Sequence, residues 1–198
     1  MALDVSQVVS LLAALGLGSL LTQYVSKGHE RRSVRAEVLA ALYAVELARR
    51  PGHGVFHDAA IEFQTRALIA RVPRDTVRHY LAYAETAWML AEEPDGVQAG
   101  RVLATTDVSE QGASFAAAIV TWIVWNPFWS RLIKVAERRD RLDVWTAHMF
   151  AKLLDEKNRS DADTRQHNLR SLSLANDCRR KNGLDPLPVK DGHIATST

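Results

Sequence analysis

The segment from Val5 to Ser26 contains twenty-two residues without a charge, and it is closed behind by Lys27, His29, Arg31, Arg32 and Arg35. As a helix rising 1.5 Å per residue it would reach about 33 Å, enough to cross a hydrocarbon core of roughly 30 Å. Two structures fit such a stretch. It is either a membrane anchor or the buried first helix of a bundle, and Ser6, Gln7, Ser10, Ser19, Thr22 and Gln23 keep the second open by making it only mildly apolar. A cleaved signal peptide fits less well, because Met1-Ala2-Leu3-Asp4 supplies no basic n-region.

The anchor reading fixes an orientation. Nothing basic precedes the segment and four Lys/Arg lie in the nine residues after it, so the N-terminus is expected outside and the bulk of the chain on the cytoplasmic side of an inner membrane. Leu11, Leu12, Leu15, Leu17, Leu20 and Leu21 would face lipid, and Lys27, Arg31, Arg32 and Arg35 would sit at the headgroups. Ser10, Ala14 and Gly18 recur every fourth residue, a small-residue row that permits self-association of the helix in lipid.

The remainder reads as all-α, an N-terminal hydrophobic helix (residues 1–28) followed by an antiparallel helical bundle (29–183) and a flexible tail (184–198). Val34, Val38, Ala41, Leu42, Val45 and Ala48 fall at helical spacing, with Arg31, Arg35, Glu46 and Arg49 elsewhere on the wheel. Pro51-Gly52-His53-Gly54 breaks this helix. A second is expected over Val55–Val72, with Phe56, Ala60, Phe63 and Ala67 inward, and a third over Asp75–Glu93, with Asp75 as N-cap and Val77, Tyr80, Leu81, Ala84, Trp88 and Ala91 inward. Residues 97–112 are weakly periodic and read as a connecting loop.

Gln111–Ser130 is a second uncharged stretch. Asn126-Pro127 cuts it as an N-cap followed by a first-turn proline, and its flanking charge gives it the same orientation as the first stretch, which two successive spans cannot share. A core helix is the better reading. Trp122, Trp125 and Trp129 then share a face that packs inward or meets lipid or a partner. The longest helix is expected over Pro127–Asn158, with a seam of Leu142, Trp145, Met149 and Leu153; a last helix opens at Ser160, buries Leu169, Leu172, Ala175 and Cys178, and stops at Asn182-Gly183.

Chemistry is sparse. The net charge of +2 conceals an acidic middle (five Lys/Arg against nine acids over 51–110) between basic flanks, with no dense one-signed run that would point to nucleic acid. One cysteine excludes an internal disulfide. The best metal-like grouping is His53, His57, Asp58 and Glu62 with Asp75 and His79, but His53 sits in a turn and no Glu-x-x-His pair occurs. Cys178 with His148 or His167 is a remote nucleophile pair. Arg179-Arg180-Lys181 complements the dipole of the last helix. No phosphate-loop, dinucleotide, zinc-protease or serine-hydrolase motif is present, and no cofactor is expected.

The uncharged head followed by GHERRSVRAEVLAALYAVE resembles the opening of uncharacterised actinobacterial and phage proteins that carry one span, a basic juxtamembrane collar and a helical domain. That resemblance covers about the first fifty residues and implies a bitopic membrane protein without indicating an activity. Together these features give an expectation of a membrane-anchored helical protein that works through contacts with lipid and an unidentified protein partner: an adaptor, regulator or host–phage interference factor. Two other classes compete with it, a membrane-perturbing holin-like effector and a soluble helical metal-dependent enzyme.

Overall fold

A computed structural model describes residues 17–50, 55–92, 103–126, 135–155, 162–190 and 193–194. Among the described residues there are six helices: α1 (Leu17–Ala48), α2 (Phe56–Ile69), α3 (Arg74–Glu92), α4 (Leu103–Trp125), α5 (Val135–Asp155) and α6 (Ala162–Lys181). A two-residue antiparallel hairpin, β1 (Val189–Lys190) and β2 (His193–Ile194), follows them. The all-helical bundle expected from periodicity is therefore observed, apart from this short ribbon, where no strand was expected.

α1 runs unbroken from inside the uncharged stretch, through the basic collar, into the bundle. Gly28 does not interrupt it. At 1.5 Å per residue its 32 residues reach about 48 Å. Among the described residues no helix is long and apolar enough to cross a membrane. Residues 5–16 of the expected anchor lie outside the described residues, and residues 17–26 form the first turns of α1.

The inner stripe of α1 is as expected: Val38, Ala41, Leu42, Val45 and Ala48 are buried. Phe56, Phe63 and Ala67 face it from α2, and Val77, Tyr80, Leu81 and Ala84 from α3. Phe63 meets the Tyr80 ring edge-on at 5.2 Å. α2 ends through Arg71, held in the left-handed region at φ 58°, with the Val72 amide donating back to the Ala67 carbonyl at 2.9 Å. α3 is the central helix: residues 79 to 87 are all buried. Asp75 is not its cap. It lies inside the first turn, and the Pro73 carbonyl accepts from Thr76 and Val77.

Three expectations are corrected by packing. Residues 103–112 are not loop but the first three turns of α4, buried through Thr105, Val108, Ser109 and Gly112. In α5 the inward face is Leu142, Thr146, Ala147, Phe150, Ala151 and Leu154, one step round from the expected seam, leaving Trp145, Met149 and Leu153 half-buried. Leu169 of α6 is exposed, while Leu172, Ala175 and Cys178 are inward as expected. Gly183, at φ 71°, takes the left-handed position that ends α6, with its amide on the Arg180 carbonyl.

The start of the expected loose tail belongs to the fold. Leu187 is 4% exposed and packs with Val108, Ala147, Phe150, Leu154, Leu172 and Ala175 as a second core. Its amide donates to Asn176 Oδ1 at 2.8 Å. Leu187→Ala is accordingly expected to lower stability by about 2 kcal/mol, readable as a shift in the urea midpoint. A truly loose tail would show no shift.

Candidate functional site

The strongest concentration of chemistry lies where α3, α5 and α6 meet; of its members the sequence points to His79, as a metal-like residue, and Arg179, as a complement to the helix dipole. Asp143 projects from α5 between two helices that each supply donors. From α6, Arg179 grips it with two parallel bonds, Nη1 to Oδ1 at 2.7 Å and Nη2 to Oδ2 at 2.8 Å. From α3, the Tyr83 hydroxyl donates to Oδ1 at 2.8 Å and His79 Nε2 lies 2.9 Å from the same oxygen. A carboxylate carries no proton to give, so the hydrogen in that contact belongs to the imidazole. Thr146, one turn along α5, sits 3.0 Å from the Tyr83 oxygen. The remaining guanidinium nitrogen, Arg179 Nε, donates to the Asp185 carbonyl at 2.6 Å, which fastens the segment after α6 to the same knot.

Burial raises the Asp143 carboxyl, but hydrogen bonds and charge from His79 and Arg179 outweigh it and hold the group well below the usual carboxylate range. Burial, reinforced by the Asp143 charge, pushes the Tyr83 phenol far up, so the phenol stays neutral as the donor. The geometry makes this a saturated structural clamp. Both carboxylate oxygens are occupied, and the adjoining cavity, lined by Ser109, Thr146, Phe150 and Arg179 among others, has a volume of about 10 Å³, space for a single water. Ser109 Oγ, on its wall, is buried without a hydrogen-bond partner among the described residues.

Two further buried ionic groups tie other helices. Arg49, expected on the outside of α1, is buried; it donates to Glu46 at 2.8 Å and to Ser114 of α4 at 3.2 Å, while Tyr80 of α3 donates to Glu46 at 2.9 Å. Glu85 of α3, also buried, receives Lys181 and, at 3.2 Å, Asn182. The basic end of α6 is thus explained by specific partners: Arg179 takes Asp143, Arg180 takes Asp177 and Lys181 takes Glu85.

The metal-like residues are not brought together. His53 lies outside the described residues, Asp58 is exposed, and His57 is exposed with its ring 5.0 Å from Trp88. Glu62 pairs with Arg66, and Asp75 faces Arg139, whereas buried His79 belongs to the Asp143 knot. Among the described residues no group of three or more His, Cys, Asp and Glu is placed to hold a metal. Nor does Cys178 meet a histidine: its thiol, raised by burial, contacts Met89 Sδ at 3.8 Å. His148 is exposed on α5, and His167 lies 3.3 Å from Thr105 and 3.4 Å from Ser171.

The tryptophan face divides. Trp122 is half-buried under the Arg138 guanidinium, 4.7 Å above its ring, Trp125 is exposed, and Trp129 lies outside the described residues. Of the expected lipid-facing set, Leu11, Leu12 and Leu15 lie outside them, as do Ser10 and Ala14 of the self-association row. Leu17, Gly18, Leu20, Leu21 and Lys27 are on the helical backbone of α1; Arg31 and Arg32 are exposed and Arg35 is half-buried. An open groove of about 450 Å³ runs between the C-terminal end of α3 and the middle of α6, lined by Trp88, Met89, Glu92, Arg170, Leu174 and Asp177.

The chain matches no protein-family model, no curated protein and no solved structure. The class it defines is therefore set by the fold alone: an all-helical bundle tied by internal ion pairs.

Proposed function

We propose that the chain is a membrane-associated helical protein that acts through contacts, with residues 5–26 held at or in an inner membrane and the bundle on the cytoplasmic side presenting its surface to a protein partner. The observation that carries this reading is the continuity of α1. One helix joins the uncharged stretch, the basic turns at Arg31, Arg32 and Arg35, and the core stripe from Val38 to Ala48. Such a helix transmits the position of its N-terminal end rigidly to the bundle. The small-residue row at Ser10, Ala14 and Gly18 adds self-association as a second contact. Buried ion pairs support the same reading, because a scaffold that presents surfaces needs one fixed arrangement of helices.

Fractionation tests it. The full chain is expected to resist carbonate and require detergent, while a chain starting at Lys27, which keeps the buried stripe Val38, Ala41, Leu42, Val45 and Ala48, is expected to be soluble and helical by circular dichroism. Recovery of the full chain in the soluble fraction, with aggregation of the shortened one, would show that the segment is a core helix and overturn the proposal.

A further inference from the structure

Beyond Gly183 the chain turns back along α6 as an extended segment, Leu184 to Val189, that lies on the bundle in the manner of a bound peptide. Between exposed Asp185, Pro186 and Pro188 only Leu187 is buried, and its side chain packs among Val108 of α4, Ala147 and Phe150 of α5 and Ala175 of α6. The bonds that fasten its main chain to the bundle come from side chains. Asn176 Oδ1 accepts from the Leu187 amide at 2.8 Å, and Arg179 Nε donates to the Asp185 carbonyl at 2.6 Å. The prolines on either side of Leu187 bring no N–H that needs a partner. Side chains that hold an extended backbone around one apolar anchor are the means by which grooves recognise peptides.

Leu187 does not fill its pocket. A cavity of about 10 Å³ remains, lined by Leu187 together with Ser109, Thr146 and Phe150, and Ser109, 2% exposed, has its hydroxyl unpartnered among the described residues. A longer, unbranched anchor has room there, and methionine would offer its thioether to that hydroxyl. We propose that residues 184–189 form a displaceable strap over a peptide-docking pocket, and that the strap yields to an extended, proline-flanked peptide of a partner protein with methionine at the anchor. A second copy is the poorer occupant. It carries the same leucine, and the chain's own segment, joined to α6 through Asn182 and Gly183, meets the pocket at an effective concentration on the order of millimolar, above that of a free copy. The inference rests on the contact role proposed above and names its partner, without depending on the membrane anchor.

The probes are labelled heptapeptides matching residues 184–190, with methionine, leucine or alanine at the anchor, titrated into the native full chain and into the full chain carrying Leu187→Ala. The methionine peptide is expected to bind both, roughly thirtyfold more tightly where Leu187→Ala has weakened the strap. The leucine peptide should follow it and the alanine peptide should bind neither chain. In hydrogen exchange on the native chain, the Leu187 amide should exchange through a local opening, well before the amide of Ala147 in the core. Binding to the Leu187→Ala chain alone, or a Leu187 amide as protected as that of Ala147, would make the segment a fixed part of the core and overturn the strap. Binding to neither chain, with native circular dichroism, would overturn the pocket. Leucine preferred over methionine, or a concentration-dependent dimer of the native chain that the peptide dissociates, would show a second copy as the occupant and overturn the partner. None of these readouts depends on how residues 5–26 fractionate, so failure of the anchor and failure of the strap are distinguishable.

Discussion

Asp143→Asn is expected to lower the unfolding free energy by about 3 kcal/mol, and Asp143→Ala or Arg179→Ala by about 3–5 kcal/mol, because each leaves an uncompensated buried charge or buried donors without an acceptor. For a bundle of this size that is roughly a 10 °C fall in Tm. Asp143 lies between α3, α5 and α6, so its loss frees Arg179, Tyr83 and His79 at once. The pH dependence separates charge from packing. Asp143 has its folded pKa depressed, so its contribution is fully present above the unfolded value of about 3.9 and is lost as pH falls further toward the folded one. The stability gap between the native protein and Asp143→Asn should therefore be constant near neutrality and shrink once the pH drops below about 4. A gap that persists undiminished in acid would mean that the cost is steric and that the ion pair contributes little. Converting both partners to apolar residues of similar size is expected to cost much less than either single change.

This knot was invisible in the sequence for a physical reason. Arg179 and Asp143 are thirty-six residues apart, and a local reading of Arg179-Arg180-Lys181 finds a sufficient cause in the helix dipole. Arg49 was likewise placed on the outer wheel, since nothing local shows that Ser114 of α4 waits for it. What periodicity does reveal is the apolar stripe of a helix with one buried side. That held for Val38 to Ala48 and for Phe56, Phe63 and Ala67. It failed for the start of α4, where Thr105 and Ser109 are buried on the inner face and blur the contrast between sides. It also gave the wrong edge of α5, whose buried set includes Thr146 and two alanines, residues that hydropathy patterns undervalue. The metal-like grouping around His57 and His79, which the sequence itself argues against, is dispersed by the same logic. His57 and His79 seemed neighbours on successive helices, but His79 turns to a carboxylate on α5 that no spacing rule could have offered.

The close approach of α3 and α4 gives the second large effect. Gly112→Val is expected to destabilise by about 3 kcal/mol, at the upper end of overpacking costs. A Cβ at Gly112 would stand 2.7 Å from Tyr83 Cδ1 and 2.8 Å from Cε1, distances that real Cβ atoms do not tolerate. In an exposed helix, replacing glycine gains up to about 1 kcal/mol of propensity; here the sign should reverse. The reason is that Tyr83 cannot swing away, since its hydroxyl is held by Asp143 and lies against Thr146. Gly112→Ala should show the same sign with a smaller effect. Coupling makes the argument testable in a double-mutant cycle: with Tyr83→Leu the ring is gone, and the cost of Gly112→Val should fall by more than half. Equal costs in both backgrounds would mean that α3 and α4 separate freely at this point. A dependent cost would instead show that one glycine sets the helix spacing at which Asp143 can be reached from α3.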